Sequence, residues 1–265
     1  MTEGWSSSMR FAQKNVLVTG AAAGLGRHIA RAFAIEGADI AILDFQDASA
    51  TAQEVAALKR RCKIFRSDVR DEDGVKKAVA GAADFFGGRI NVLVNNAGFN
   101  GHYSLIKDMP LAHWRETIDI NLTGTMLVTR TVLPFMLDRR AGAIVTTASN
   151  VARRGLPYRA DYVCSKWAIL GFTQTLALEV ASHNIRANAV CPGPIEGDRI
   201  EDVMAHHAEI EGKTVADVRR EWEATPMNRF VEPEEVAGVM LFLCSSDASA
   251  MTGQAINVTG GFIMT

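Results

Sequence analysis

The run Asn15-Val16-Leu17-Val18-Thr19-Gly20-Ala21-Ala22-Ala23-Gly24-Leu25-Gly26 decides the fold. Its first half is a continuous apolar stretch, the pattern of a strand buried on both faces. Its second half places three glycines at a strand-to-helix junction. There the backbone turns sharply and can approach a pyrophosphate, and the first N–H groups of a helix are presented to the anion. The segment that follows, Gly24 to Glu36, is amphipathic and is closed by Gly37.

Working outward, similar apolar runs recur at Ala38–Asp44, Cys62–Arg66, Ile90–Asn95, Ala143–Thr147, Ile185–Val190 and Ala255–Val258. Helical patterns separate them: Asp71–Phe86, Leu111–Asp138, Tyr158–Ser182 and Pro233–Leu243. The alternation predicts a single α/β domain, residues 14–265, with a doubly wound, Rossmann-type parallel sheet of seven strands and right-handed crossovers. Residues 1–13 read as a loose tail with no signal-peptide core. The one compositional shift, Glu196 to Glu223, is dense in charge and reads as a solvated helical excursion, a candidate substrate lid near 195–225.

The chain has 265 residues, with 28 Lys plus Arg against 30 Asp plus Glu, a net charge of −2. That balance gives no footprint for nucleic acid or anionic lipid. No run of about 18 to 20 apolar residues is free of charge, so no membrane span is expected. Cys62, Cys164, Cys191 and Cys244 are scattered and form no CxxC pair, and His206-His207 point to different helix faces without a third ligand. A reduced, cytoplasmic protein without a metal site is the expectation.

Asp44 ends the second run, 18 positions beyond Gly26. A carboxylate there accepts from adenosine ribose hydroxyls and repels a 2′-phosphate, which predicts NAD over NADP. Arg27 and Arg66 are the cations near enough in sequence to oppose that preference. Tyr162 and Lys166 stand at i, i+4 on one helix face. A phenol titrates near 10, but an ammonium about 4 Å away is worth about 4 kcal/mol at an effective dielectric near 20, roughly three pKa units. Ser149 ends the fifth run, at the sheet edge where such folds bind ligands. Asn150, Arg153, Arg154, Tyr158, His102 and Tyr103 are candidate substrate contacts, the arginines for an acidic or polyhydroxylated molecule.

Together these motifs resemble the single-domain branch of the short-chain dehydrogenase/reductase family, from about Lys14 to Gly261. The resemblance rests on the glycine loop, Asn95-Asn96-Ala97-Gly98, Ser149, Tyr162 to Lys166, and Pro192-Gly193. It implies that Tyr162 is the acid/base, that Lys166 lowers its pKa and holds the nicotinamide ribose, and that Ser149 holds the substrate oxygen. It implies that Asn121 carries a water in a proton relay to the lysine. For the cofactor it implies Gly20, Gly24, Leu25 and Gly26, Asp68-Val69 at the adenine, Asn95, Asn96 and Gly98 beside the adenosine, and Pro192, Gly193 and Ile195 at the nicotinamide. A departure follows Ile195: Glu196-Gly197 lacks the threonine many members carry there and adds a charge near the nicotinamide edge. The implied activity is NAD-dependent interconversion of a secondary alcohol and a ketone by a homotetramer. An NADP-dependent 3-ketoacyl-type reductase, a non-enzymatic dinucleotide-binding regulator and a sugar-nucleotide epimerase are the alternatives.

Overall fold

The computed structural model describes residues 9–265. Seven strands form one parallel sheet: β1 (Asn15–Thr19), β2 (Asp39–Asp44), β3 (Cys62–Arg66), β4 (Val92–Asn95), β5 (Gly142–Thr147), β6 (Ile185–Pro192) and β7 (Ala255–Val258). Their order is β3-β2-β1-β4-β5-β6-β7. Direction across the sheet reverses between β1 and β4, and the crevice outside the carboxyl ends of those strands is where such sheets receive ligands.

Nine α-helices lie among the described residues: α1 (Gly24–Ile35), α2 (Ser49–Ala57), α3 (Glu72–Phe85), α4 (Leu111–Ile118), α5 (Gly124–Leu137), α6 (Ala160–Val180), α7 (Asp198–Glu211), α8 (Val215–Glu223) and α9 (Pro233–Cys244). Successive strand side chains point to opposite faces. Val16 and Val18 therefore join Ile29, Phe33, Val236 and Met240 on the α1/α9 side. Leu17 joins Val79, Val128, Val132, Met136 and Leu176 on the α3/α5/α6 side.

Four details differ from the sequence expectation. The stretch Leu111–Asp138 is not one regular helix: a π turn over Asp119–Thr123 joins α4 to α5. Helix α2 was not anticipated, because its sequence is short and small-residued and buries only Thr51 and Val55. Helix α6 begins at Ala160 rather than Tyr158, which lies outside it with a φ of 64°. The excursion 196–223 buries Met204, Ala208 and Val218 in a small core with Phe230, which follows it, rather than presenting a purely solvated face.

Of the expected tail, residues 1–8 lie outside the described part, and residues 9–13 are tied down. Phe11 is 2% exposed, its ring meets Phe33 edge-on at 4.8 Å, and Arg10 pairs with Glu36. By length and composition, Leu111–Leu137 is the one helical stretch among the described residues suited to crossing a membrane. Here it packs its Val128, Val132 and Met136 into the sheet core.

Candidate active site

The glycine loop runs from the end of β1 into α1. A β-carbon on Gly26 would overlap the Gly20 carbonyl oxygen and lie 2.5 Å from Asn96 Nδ2, so only glycine fits. Asn96 Nδ2 donates to that Gly20 oxygen at 2.8 Å, and Thr147 Oγ1 donates to Asn96 Oδ1, which locks the loop to β4 and β5. No side chain caps the N-terminus of α1, leaving its first N–H groups for an anion. The cradle fits a dinucleotide pyrophosphate.

Asp44 is 6% exposed. One of its oxygens accepts from Ala22 N at 2.8 Å and the other from Gln46 N at 2.9 Å, leaving lone pairs for ribose hydroxyls. Of the two arginines able to oppose it, Arg27 is paired with Glu54, while Arg66 gives only its Nε, to the Phe45 carbonyl at 3.1 Å. Asp68 is held by a forked Arg70, whose hydrogen bonds bring its carboxyl below the usual range. Val69 packs against the start of α5, where a β-carbon on Gly124 would meet its methyl at 2.6 Å. Gly193 N donates to Val258 O, and Ile195 forms a bridge with Val231.

At the ends of β4 and β5, three expected residues converge. Ser149 leaves β5 in extended backbone, its hydroxyl donating to Asn150 Oδ1 at 3.1 Å. The first half of α6 carries Tyr162 and Lys166. Lys166 is buried and donates to Thr147 O at 2.8 Å, with its ammonium 5.7 Å from the Tyr162 ring centre. Burial pushes the phenol upward. The Lys166 ammonium, the Arg199 guanidinium, the nearby Ser149 hydroxyl and the Arg159 guanidinium outweigh it, and the net direction is down. Burial also lowers Lys166, against the pull of Tyr162 and with help from Arg199.

Asn121 occupies the π turn, a feature frequent at functional sites. Its side chain accepts from Phe99 N at 2.7 Å and donates to Phe99 O and to Ser165 Oγ, both at 3.0 Å. It clamps the loop after β4 onto α6.

Several expected site residues lie elsewhere. Asn95 turns inward, donating to Thr129 Oγ1 of α5 at 2.9 Å, and does not face the crevice. Arg153 donates to Ala255 O of β7, and Arg154 stacks on Phe262 at 4.4 Å; the single-turn helix Asn150–Arg153 swings both away from Tyr162. Tyr158 lines a separate groove of about 330 Å³ with Leu105, Ile106 and Pro157. The His102 ring is taken by α4, stacked on His113 at 3.8 Å and 3.0 Å from Glu116. Glu196 is not an unpaired charge. Arg219 holds it at 2.6 Å, and the same guanidinium reaches Glu201 at 2.5 Å and Glu223 at 2.8 Å.

Three residues escaped the sequence reading. Arg159, 4% exposed, sits over the rings of Tyr103 and Tyr162 at 4.4 and 4.9 Å. Arg199, in the first turn of α7, donates to Asn100 Oδ1 at 2.8 Å and to Gly98 O at 3.3 Å. Asp161, fully buried, accepts from His102 N, Thr117 Oγ1 and Tyr162 N. Gly101 permits that contact, since a β-carbon there would lie 2.8 Å from Asp161 Oδ2. The only local signal was an acid directly before Tyr162 in a first helical turn.

The family model described as Enoyl-(Acyl carrier protein) reductase matches residues 20–263. The chain belongs to the short-chain dehydrogenase/reductase family. It is 36% identical to the 3-oxoacyl-[acyl-carrier-protein] reductase FabG of Thermotoga maritima, over 97% of this chain and 100% of that one. It is likewise 36% identical to galactitol 2-dehydrogenase of Agrobacterium fabrum, over 96% and 98%. Among solved structures, NAD⁺-bound xylitol dehydrogenase superposes with a TM-score of 0.92 at 33% identity, over 95% of this chain and 99% of that one. An actinorhodin polyketide ketoreductase variant with NADPH gives 0.90 at 33%, over 95% and 97%. Like these relatives, the chain is an oxidoreductase acting on CH–OH groups with a nicotinamide dinucleotide.

Proposed function

We propose that the protein is an NAD-dependent oxidoreductase that interconverts a secondary alcohol and its ketone, with Tyr162 as the acid/base. The observation that carries this is the convergence of Lys166, Arg199 and Arg159 on one phenol beside Ser149, which favours the phenolate against the cost of burial. Bound in the glycine cradle, the dinucleotide supplies the hydride acceptor or donor. In oxidation Tyr162 Oη takes the hydroxyl proton while Ser149 Oγ holds the substrate oxygen. Lys166 keeps the phenol acidic, and Asn121 fixes the loop that walls the site. The protein's share is positioning and electrostatics.

Asp44, with Arg27 already paired to Glu54, favours NAD. The second reading, an NADP-dependent 3-ketoacyl reductase, draws on relatives named as such. The ratio of kcat/KM for the two cofactors separates the readings, and an NADP preference above about tenfold refutes the role of Asp44. The four cysteines, all thiols, support a reduced, cytoplasmic setting. Trp167 and Leu178, exposed on α6, support assembly as a homotetramer, which light scattering measures. Tyr162→Phe is expected to lower kcat/KM by about 10³-fold or more in an NADH-absorbance assay over a panel of alcohols. Turnover near that of the wild type sinks the assignment.

A further inference from the structure

We propose that the substrate carries a carboxylate or a comparable anion, received by Arg199 at the mouth of the crevice and backed by Arg159. This rests on Tyr162 being the acid/base and deepens that reading by naming a substrate class.

Asn100, in the loop after β4, accepts from two guanidinium groups at once. Its carbonyl takes Arg159 Nη2, and its side-chain oxygen takes Arg199 Nε at 2.8 Å. The two arginines come from different elements, the turn before α6 and the first turn of α7, yet one residue pins both. Arg159 Nη1 is spent on the Tyr103 hydroxyl at 2.7 Å, and its Nε is buried without a partner. Arg199 is exposed, and its Nη1 donates to no acceptor among the described residues. Its Nη2 reaches Gly98 O, and a β-carbon on Gly98 would lie 3.7 Å from Lys166 Nζ. Arg199 therefore leans toward the reacting end of the crevice.

No carboxylate pairs with Arg159, Arg199 or Lys166 among the described residues. Asp161, two positions after Arg159, is committed to two backbone N–H groups and Thr117. The other cations of the insertion are matched: Lys213 with Glu211 and Glu221, Arg219 with three glutamates, and Arg220 with Asp217. A chain of net charge −2 thus brings two guanidinium groups without a carboxylate partner to the end of the crevice that holds Tyr162 and Lys166. A buried guanidinium without a counter-charge is costly, and an incoming anion supplies one. The cofactor is the other source of anion: its pyrophosphate cradle is the N-terminus of α1, but Gly98, which Arg199 touches, is an expected cofactor contact, so cofactor affinity is measured beside the substrate ratio.

The test uses the full-length protein with 2- and 3-hydroxy acids, each beside its methyl ester, followed by NADH absorbance on the alkaline plateau of each variant so that phenol titration does not enter. The acid is expected to exceed its ester in kcat/KM by about tenfold or more in the wild type. Arg199→Gln is expected to cut that acid-to-ester ratio by about 10- to 100-fold, the range of a charge-assisted hydrogen bond, chiefly through KM of the acid. Arg199→Lys should recover part of it, and Arg220→Gln, a paired cation on α8, should leave the ratio unchanged. Equal losses on acid and ester overturn the proposal. So does a weaker NADH Kd in Arg199→Gln with the ratio intact, which would give the arginine to the cofactor. A wild type that oxidises neutral alcohols but no acid overturns this inference and leaves the oxidoreductase reading standing. A protein that oxidises neither, with Tyr162→Phe indistinguishable from it, fails that reading instead.

Discussion

Replacing Lys166 by methionine keeps the length of the side chain and removes its charge. The ammonium lies 5.7 Å from the centre of the Tyr162 ring. At an effective dielectric near 20, a unit charge at that distance contributes about 3 kcal/mol, or about two pKa units. Removing a nearby cation favours the neutral phenol, so the inflection in the pH profile of alcohol oxidation should move upward by about two units. Near neutral pH, kcat should fall about 100-fold, and much of the loss should return on the alkaline side. The assay is kcat at saturating NAD across pH, which separates proton chemistry from any weakening of cofactor binding. Thr147 O loses its donor, so a small loss of thermal stability should accompany the change. A lowered plateau with an unmoved inflection would refute the reasoning, for then the lysine acts by position alone.

Two further outcomes follow from the geometry. Gly26→Ala places a methyl group against the Gly20 carbonyl and Asn96, and should weaken NADH binding about tenfold or more in a fluorescence titration; an unchanged Kd contradicts the cradle. Glu235 is forked to Arg229 and caps α9, and the Arg229 hydrogen bonds bring its carboxyl down to about 2. Its folded-state value is depressed, so its stabilisation is present above the ordinary carboxylate range and is lost as pH falls toward 2. The pair is exposed, so Glu235→Gln should cost under about 1 kcal/mol in thermal melts at neutral pH. That deficit should vanish near pH 2; a deficit constant across pH contradicts the ion pair.

The sheet was readable because each strand is a continuous Val- and Ile-rich run, and burial on both faces leaves that mark locally. Ser149, Tyr162 and Lys166 were readable for a similar reason, since a strand end and an i, i+4 pair are short-range patterns. Arg199 and Asn100 meet across 99 positions, and no periodicity announces such a contact. The π turn at Asp119–Thr123 was hidden because the apolar pattern runs on through it. Arg153 and Arg154 were misplaced because their neighbourhood to Ser149 is sequential only; one turn of helix sends them toward β7 and Phe262. The pairing of Glu196 is not legible locally, because its partner Arg219 stands 23 positions on, in α8.

That last guanidinium rivets three places in the chain: Glu196 ahead of Gly197, Glu201 in α7 and Glu223 at the end of α8. Bending at Gly197 alone would stretch the rivet. Yet Glu196 N donates to Val231 O at 2.9 Å, so residue 196 stays with the frame, and a swing of the two helices has to part Arg219 from Glu196 while Glu201 and Glu223 travel with it. Added salt, which screens exposed charges, loosens that latch.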